Sequence, residues 1–236
     1  MRVFRLPPRA LALLFDLDNT LYRNPGYAAF QEDSQVDRLA AWAGETVADS
    51  RKRLAGARAA RTAAGLPKTS MANLFMELGV DMASIVRWRE EEVRPGEWLA
   101  PDPDLAAAIG LLSAPEPRGA GFRLALLTNN PRSVGLASLK ALGLEGRFEL
   151  VVGLDDTGHS KPRHEPFLKA CAGLGLPPEA CISVGDREDV DIAPALALGM
   201  GAILVDGPED ILSLSQIVRG EPINRTPLPV KDDTRR

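Results

Sequence analysis

Ala10-Leu-Ala-Leu-Leu-Phe-Asp16-Leu-Asp18-Asn-Thr-Leu-Tyr22 is an apolar run that stops at two carboxylates spaced two apart. Nothing in its apolar part alternates. A strand buried on both faces of a parallel sheet has this pattern, and ligands of such sheets sit just beyond the strands' carboxyl ends. Asp16 and Asp18 therefore belong at a mouth, not in a core. If the chain stays extended, alternation turns both acids one way and Leu17 back into the sheet. Two like charges held so close need an offset: a divalent cation, a shared proton or a backbone nest. An isolated Asp-x-Asp also suits a helix cap beside a solvated acid, so the rest of the chain has to decide.

Further short apolar segments bounded by Gly, Asp, Thr or Asn predict strands at Phe122 to Leu127, Phe148 to Val152, Cys181 to Val184 and Ala202 to Val205. Helical patterns at Leu136 to Leu142, Glu165 to Leu174 and Ile192 to Leu198 separate them. This alternation predicts an α/β protein with a doubly wound, Rossmann-like parallel sheet and right-handed crossovers. Between the first strand and Phe122 the pattern is different. Val36, Leu39, Ala40, Ala43 and Val47 recur at helical spacing, and Met71 to Leu78 and Met82 to Glu92 continue it, broken by Gly65-Leu-Pro and Gly79. The expected organisation is a core of 1–22 and 101–214, an inserted helical cap of 23–100, and a flexible tail of 215–236. Two prolines in Pro101-Asp-Pro-Asp stiffen the return, with Asp104 placed to cap the helix from Leu105.

The chain has 236 residues, 45% of them hydrophobic, enough for one core and a smaller inserted unit. With 28 basic and 32 acidic residues and a net charge of -4, nothing favours a nucleic acid polymer or a membrane surface. No apolar stretch approaches the ~20 residues that span a bilayer. The basic start, Met1 to Arg9, runs on into Asp16 without a small-residue cleavage site. Cys171 and Cys181, without Cys-x-x-Cys spacing, read as buried thiols in a reducing compartment, and a cytoplasmic protein is expected.

The other strand ends also carry chemistry. Thr128-Asn129-Asn130-Pro131 offers a hydroxyl and successive backbone N–H groups, which make an anion cradle or simply start a turn. Lys161 precedes Pro162, which biases it towards extended backbone and frees its side chain from the face of the next helix. Gly185-Asp186, followed by Asp189 and Asp191, adds carboxylates at the end of another strand. Mg2+ is a hard ion that takes oxygen ligands and keeps several waters, so one or two acids here plus Asp16 suffice for it.

Together, Asp16-Leu-Asp18-Asn-Thr, Thr128, Lys161-Pro162 and Gly185-Asp186 through Asp191 resemble, in order and spacing, the four motifs of the haloacid dehalogenase superfamily. The resemblance covers roughly 10–205. It implies Asp16 as a nucleophile forming an aspartyl phosphate and Asp18 as the acid and then the base. It implies Thr128, Asn129 and Lys161 as the substrate-binding set. Mg2+ would be held by Asp16, the backbone carbonyl of Asp18 and Asp186, with Asp191 in support. Members that cleave carbon–halogen bonds lack an acid at the position of Asp18, so its presence favours phosphate esters.

Phe15 to Tyr22, Gly65-Leu-Pro-Lys-Thr-Ser with Leu78-Gly-Val-Asp81, and Leu99 to Leu105 look like the pyrimidine 5'-nucleotidase branch. The implied reaction is hydrolysis of a nucleoside 5'-monophosphate or a similar small phosphorylated metabolite by a monomer or homodimer. The alternatives are a phosphosugar mutase, a phosphoglycolate-type phosphatase and a catalytically idle ligand-binding module. Arg53, Arg58, Arg61, Lys68 and Trp88 are cap side chains placed to read the leaving group, or else a solvated helix face and a packing tryptophan. His159 and His164 flank Lys161 but match no motif position.

Overall fold

The computed structural model describes residues 1–66, 68–115 and 120–220. Its chain order opens with β1 (Arg2–Arg5) and β2 (Ala12–Phe15), followed by the helices α1 (Pro25–Ala43), α2 (Val47–Ala63), α3 (Met71–Glu77) and α4 (Met82–Glu92). After α5 (Pro103–Ser113) come β3 (Arg123–Leu127), α6 (Arg132–Ala141), β4 (Leu150–Val152), α7 (Leu154–Thr157) and α8 (His164–Gly173). The last part holds β5 (Cys181–Gly185), α9 (Ala193–Ala197), β6 (Gly201–Leu204), α10 (Pro208–Ile211) and α11 (Leu214–Arg219).

The six strands form one sheet in the order β1-β6-β5-β2-β3-β4. β2 lies parallel between β3 and β5, with Ala12 opposite Arg123 and Cys181, and Phe15 opposite Leu126 and Val184. The chain winds outwards from β2 through β3 to β4, then crosses back to β5 on the other side. The sheet's reversal of winding therefore falls at β2, where a crevice opens beyond the strand ends.

Every residue of β2 is buried, and alternation sorts the strand between two layers. Leu13 and Phe15 pack with Ile109 and Leu112 of α5 and Val134 and Leu139 of α6. Ala12 and Leu14 face Phe167, Ala170 and Cys171 of α8 and Ala195 of α9. This two-sided burial explains why the run lacks alternation. Cys171 and Cys181 are buried and unbridged.

The expected parallel sheet is present in β2 to β6, and β1 adds an antiparallel edge strand beside β6 that the pattern did not reveal. Arg-Val-Phe-Arg is exposed throughout, so it carries no burial signal. The helix expected from Leu105 begins at Pro103, and the side chain of Asp102, not Asp104, accepts from Leu105 N at 3.0 Å. Order continues beyond the expected end at Leu214. That leucine is buried against the core and begins α11, so 215–219 are helical, and 221–236 lie outside the described residues.

From residue 25 to residue 92 the described regular structure is helical. Asn24, Thr46, Ser70 and Asp81 cap the four helices through side-chain oxygens, and Gly44 takes the left-handed conformation (φ 66°) that separates α1 from α2. Val36, Leu39, Leu54, Leu74, Phe75, Ile85 and Trp88 form their own apolar cluster, joined by Leu154 of α7. At the junction, Asn24 Nδ2 donates to Trp98 O at 2.9 Å, and Tyr27, Trp98 and Phe30 stack in series. These contacts fix where the chain leaves the sheet layer and where it returns.

The central strand sets the stability of the whole. Leu13→Ala is expected to lower the unfolding free energy by about 2–5 kcal/mol, read from the midpoint of urea denaturation at an unchanged slope.

Candidate active site

Asp16 follows the last residue of β2 and still donates its N–H to Val184 O at 2.8 Å, so its side chain emerges at the rim of the sheet. Leu17 turns back and is fully buried, as alternation requires. A tight turn then reverses the chain. Leu21 N–H donates to Leu17 O at 2.9 Å, and Asn19 takes a left-handed φ of 61°, which asparagine tolerates better than most residues. This turn brings Asp18 next to Tyr22, whose hydroxyl donates to Asp18 Oδ1.

Around Asp16 the strand ends converge. The Lys161 ammonium lies 2.6 Å from Asp16 Oδ1 and 2.6 Å from Asp191 Oδ1, and only 2% of the side chain is exposed. Burial alone would push that ammonium down, but Asp16 and Asp191 outweigh it and hold Lys161 above its ordinary range. Asp186 joins Asp16 and Asp191 in a group whose oxygens all lie within 4.8 Å of one another. Desolvation, together with the charges of Asp16 and Asp191, pushes Asp186 up to about 7. Hard oxygen donors crowded in this way, with one ammonium among them, suit a divalent cation.

Several backbone features fix these groups. Ser183 Oγ donates to Asp191 O at 2.9 Å, and Arg187 N donates to Asp191 Oδ2 at 3.2 Å. A Cβ on Gly185 would stand 2.5 Å from Asp191 Cβ, so only glycine admits the acid here. Asp189 is held by Arg187 at 3.3 Å, away from the cluster.

Thr128 is buried, and its Oγ1 accepts from Asn130 N at 3.1 Å. Asn129, expected at the substrate, has its amide committed elsewhere. Its Oδ1 accepts from Lys161 N at 2.8 Å and its Nδ2 donates to Lys161 O at 3.2 Å, so it fixes the backbone that carries the ammonium.

A second polar group surrounds Asp18. Gln31 of α1 donates to Oδ1 at 3.1 Å, and Asn130 donates to Oδ2 at 3.0 Å. Arg89 of α4 donates to Asn130 Oδ1 at 2.6 Å, while its buried Nε has no partner among the described residues. Burial first, and Asp16's charge second, raise Asp18 above the ordinary carboxylate range. Sequence reasoning missed Gln31, Arg89 and Asn130. Asn130 had a signal, as the third polar residue at a strand end. Gln31 also had one, as a polar residue four before the buried Gln35 on the inward side of α1.

Two further contacts join the helical segment to the sheet layer. Ser160, beside Lys161, bonds Ser70 at 2.6 Å and Asn73 at 2.9 Å, and Ser133 donates to Glu90 at 2.6 Å. Of the side chains expected to read a leaving group, Trp88 packs edge-on against Phe75, and Arg53 pairs with Glu45 at 2.9 Å. Arg58, Arg61 and Lys68 line a cavity. His159 is half-buried, 3.9 Å from Glu165.

A family model for haloacid dehalogenase-like hydrolases matches residues 11–199. The chain belongs to that family. A ribulose-1,5-bisphosphate 5-phosphatase of Halopiger xanaduensis is 30% identical over 216 residues, which are 85% of this chain and 87% of that protein. A phosphoglycolate phosphatase of Salmonella choleraesuis is 34% identical over 110 residues, 46% of this chain, and the match spans only 41% of that relative's length. Among solved structures, a HAD-hydrolase from Bacillus subtilis bound to magnesium superposes with a TM-score of 0.53 at 19% identity, over 89% of this chain and 99% of that one. That last likeness concerns the fold alone. Among the described residues no helix is long and apolar enough to cross a membrane.

Lys161 is the only cation bonded to Asp16 or Asp191 among the described residues. Lys161→Met is expected to cost about 3–5 kcal/mol in urea unfolding at neutral pH. A loss no larger than that of an exposed lysine variant would mean the carboxylates do not depend on it.

Proposed function

We propose that this protein hydrolyses a small phosphate monoester with the help of Mg2+, through an aspartyl phosphate on Asp16. The carrying observation is the contrast between two neighbouring aspartates. Asp16 lies against the Lys161 ammonium, whereas Asp18 is raised by burial and by Asp16, as a proton donor should be.

The residues divide the work as follows. An Asp16 oxygen attacks phosphorus, the bond from phosphorus to the leaving oxygen breaks, and Asp18 gives that oxygen its proton. Water then attacks phosphorus, Asp18 takes back a proton, and the bond to Asp16 breaks to release inorganic phosphate. Splitting the hydrolysis in two replaces one difficult displacement with two easier ones. Thr128 Oγ1 already accepts from Asn130 N, so its own hydrogen is free to donate to a phosphoryl oxygen. Lys161 offsets phosphoryl charge, and Asn129 holds Lys161 in register.

Asp16, Asp186 and the backbone carbonyl of Asp18 would hold Mg2+, with Asp191 in support, in keeping with the clustered oxygens. When bound, the ion supplies positive charge to the phosphoryl oxygens and orients them. The helices of 25–92 act as the cap, which excludes water and joins Arg89 and Asn130 to the acid. Two buried, unbridged thiols fit a cytoplasmic protein.

Within this class, a pyrimidine nucleoside 5'-monophosphate is the finer proposal. It rests on the resemblance of segments such as 15–22 and 99–105. The relatives' names place phosphoglycolate and ribulose-1,5-bisphosphate beside it on one panel. Aromatic side chains close to the site are already engaged: Tyr27 and Phe30 stack on Trp98, and Tyr22 bonds Asp18.

Asp16→Asn should abolish Mg2+-dependent release of phosphate from p-nitrophenyl phosphate while circular dichroism stays native, and EDTA should silence the wild type reversibly. An unaffected rate in either case sinks the mechanism.

Asp18→Asn discriminates by leaving group. Hydrolysis of an alkyl phosphate is expected to fall about 10²–10⁴-fold, because an alkoxide cannot leave without a proton. p-Nitrophenyl phosphate should instead give a stoichiometric burst of nitrophenolate followed by slow turnover, since only the second step then lacks its base. Equal losses on both substrates, without a burst, would remove Asp18 from proton transfer.

A further inference from the structure

A cavity of about 230 Å³ lies where the end of α2 and the approach to α3 meet the loop after β5. Arg58, Arg61, Lys68, Thr69, Leu74 and Arg187 line it. Four of these side chains are cationic, and among the described residues none that lines it is acidic. Like charges brought together from separate stretches of chain repel one another, and a cleft lined by one sign of charge concentrates ions of the other.

Three of the four cations are paired with carboxylates outside this lining. Arg58 has Glu32 at 3.4 Å, Arg61 has Glu77 at 2.5 Å and Arg187 has Asp189 at 3.3 Å. Lys68 has no carboxylate partner among the described residues. Thr69 adds a hydroxyl, so the lining offers both ammonium and guanidinium donors with a neutral one beside them.

The cavity is tied to the catalytic carboxylates. Arg187 directly follows Asp186, and its backbone N–H is the one that donates to Asp191 Oδ2 at 3.2 Å. An adjoining cavity of about 330 Å³ shares Arg61, Lys68 and Thr69 and reaches Pro162 and Arg163, directly after Lys161. In sequence the cationic lining thus begins one residue after Asp186, at Arg187, and the adjoining cavity, which Glu77 also lines, brings Arg163 two residues after Lys161.

We propose that this cavity binds a second anionic group of the substrate, so that the preferred substrate is a small molecule with an anion besides the phosphoryl group that is removed. A phosphate or a carboxylate supplies the chemistry. Guanidinium groups match either one with paired hydrogen bonds, and an ammonium adds a point charge. The proposal rests on the phosphatase reading and, within it, favours a doubly anionic substrate over a nucleoside 5'-monophosphate, whose one anionic group is the phosphoryl that is removed. It adds that α2 and the stretch leading to α3 select the substrate by charge.

The test compares a pentose 5-phosphate with the corresponding 1,5-bisphosphate, and ethyl phosphate with phosphoglycolate, in the full-length wild type, Lys68→Glu and Arg58→Ala. The wild type should favour the doubly anionic member of at least one pair in kcat/KM. Each substitution should reduce that preference about tenfold, chiefly through KM. A preference unchanged by either variant, or none in the wild type, overturns the proposal while leaving the phosphatase reading intact. Failure to release phosphate from any compound, p-nitrophenyl phosphate included, overturns the phosphatase reading instead. In that event calorimetric binding of the bisphosphate still reads the cavity, and a Kd unmoved by Lys68→Glu removes it.

Discussion

The structure is organised around an excess of negative charge where its parallel strands end. Asp16, Asp186 and Asp191 bring their oxygens within 4.8 Å of one another, and among the described residues Lys161 is the one cation bonded to any of them. Isolated carboxylates in so dry a place would be costly. The surroundings accordingly commit many groups to holding them: the Ser183 hydroxyl, the Arg187 N–H, the bare α-carbon of Gly185 and the amide of Asn129 behind Lys161. A site so poorly balanced is well adapted to a divalent cation and a phosphoryl group arriving together, since each offsets the charge that the other leaves.

The sheet makes this convergence possible. Because winding reverses at β2, the strand carrying Asp16 has β3 on one side and β5 on the other, and their carboxyl ends deliver Thr128 and Asp186 to its flanks. Lys161 comes from the loop after α7, one place beyond β4. Its long stem lets the ammonium reach the centre across that distance. A shorter cation there would fall short, and an acid would worsen the imbalance.

This framework was legible because it depends on local rules. A strand buried on both faces must be continuously apolar, so β2 was readable by itself, whereas Asp16, Thr128, Lys161 and Asp186 became candidates only jointly, as polar residues at successive strand ends. β1 was not, since an exposed edge strand of four residues has no burial pattern. Nor was Arg89, which reaches Asn130 only because α4 is folded over the sheet, 41 residues away in sequence. Asn129 shows a contact that residue type alone did not reveal. Its residue type suited an anion cradle, but its position beside Lys161 gave it a backbone to hold.

Asp18 carries the argument furthest. Both of its oxygens accept hydrogen bonds, Oδ1 from Tyr22 and Gln31 and Oδ2 from Asn130. An amide N–H cannot accept from a protonated carboxyl, so in the proposed mechanism the O–H of the acid form of Asp18 needs an acceptor that Gln31 Nε2 and Asn130 Nδ2 do not supply. The bond from Asn130 is the one that lies between the sheet and α4, and its other end is already held by Arg89 at 2.6 Å. A leaving oxygen that takes Asn130's place at Oδ2 receives the proton, while Asn130 keeps its bond to Arg89. Proton delivery and the seating of α4 over the substrate are then coupled through one amide. The acid thereby gains a dependence on the helical segment that an Asp-x-Asp at the end of a strand would not have by itself.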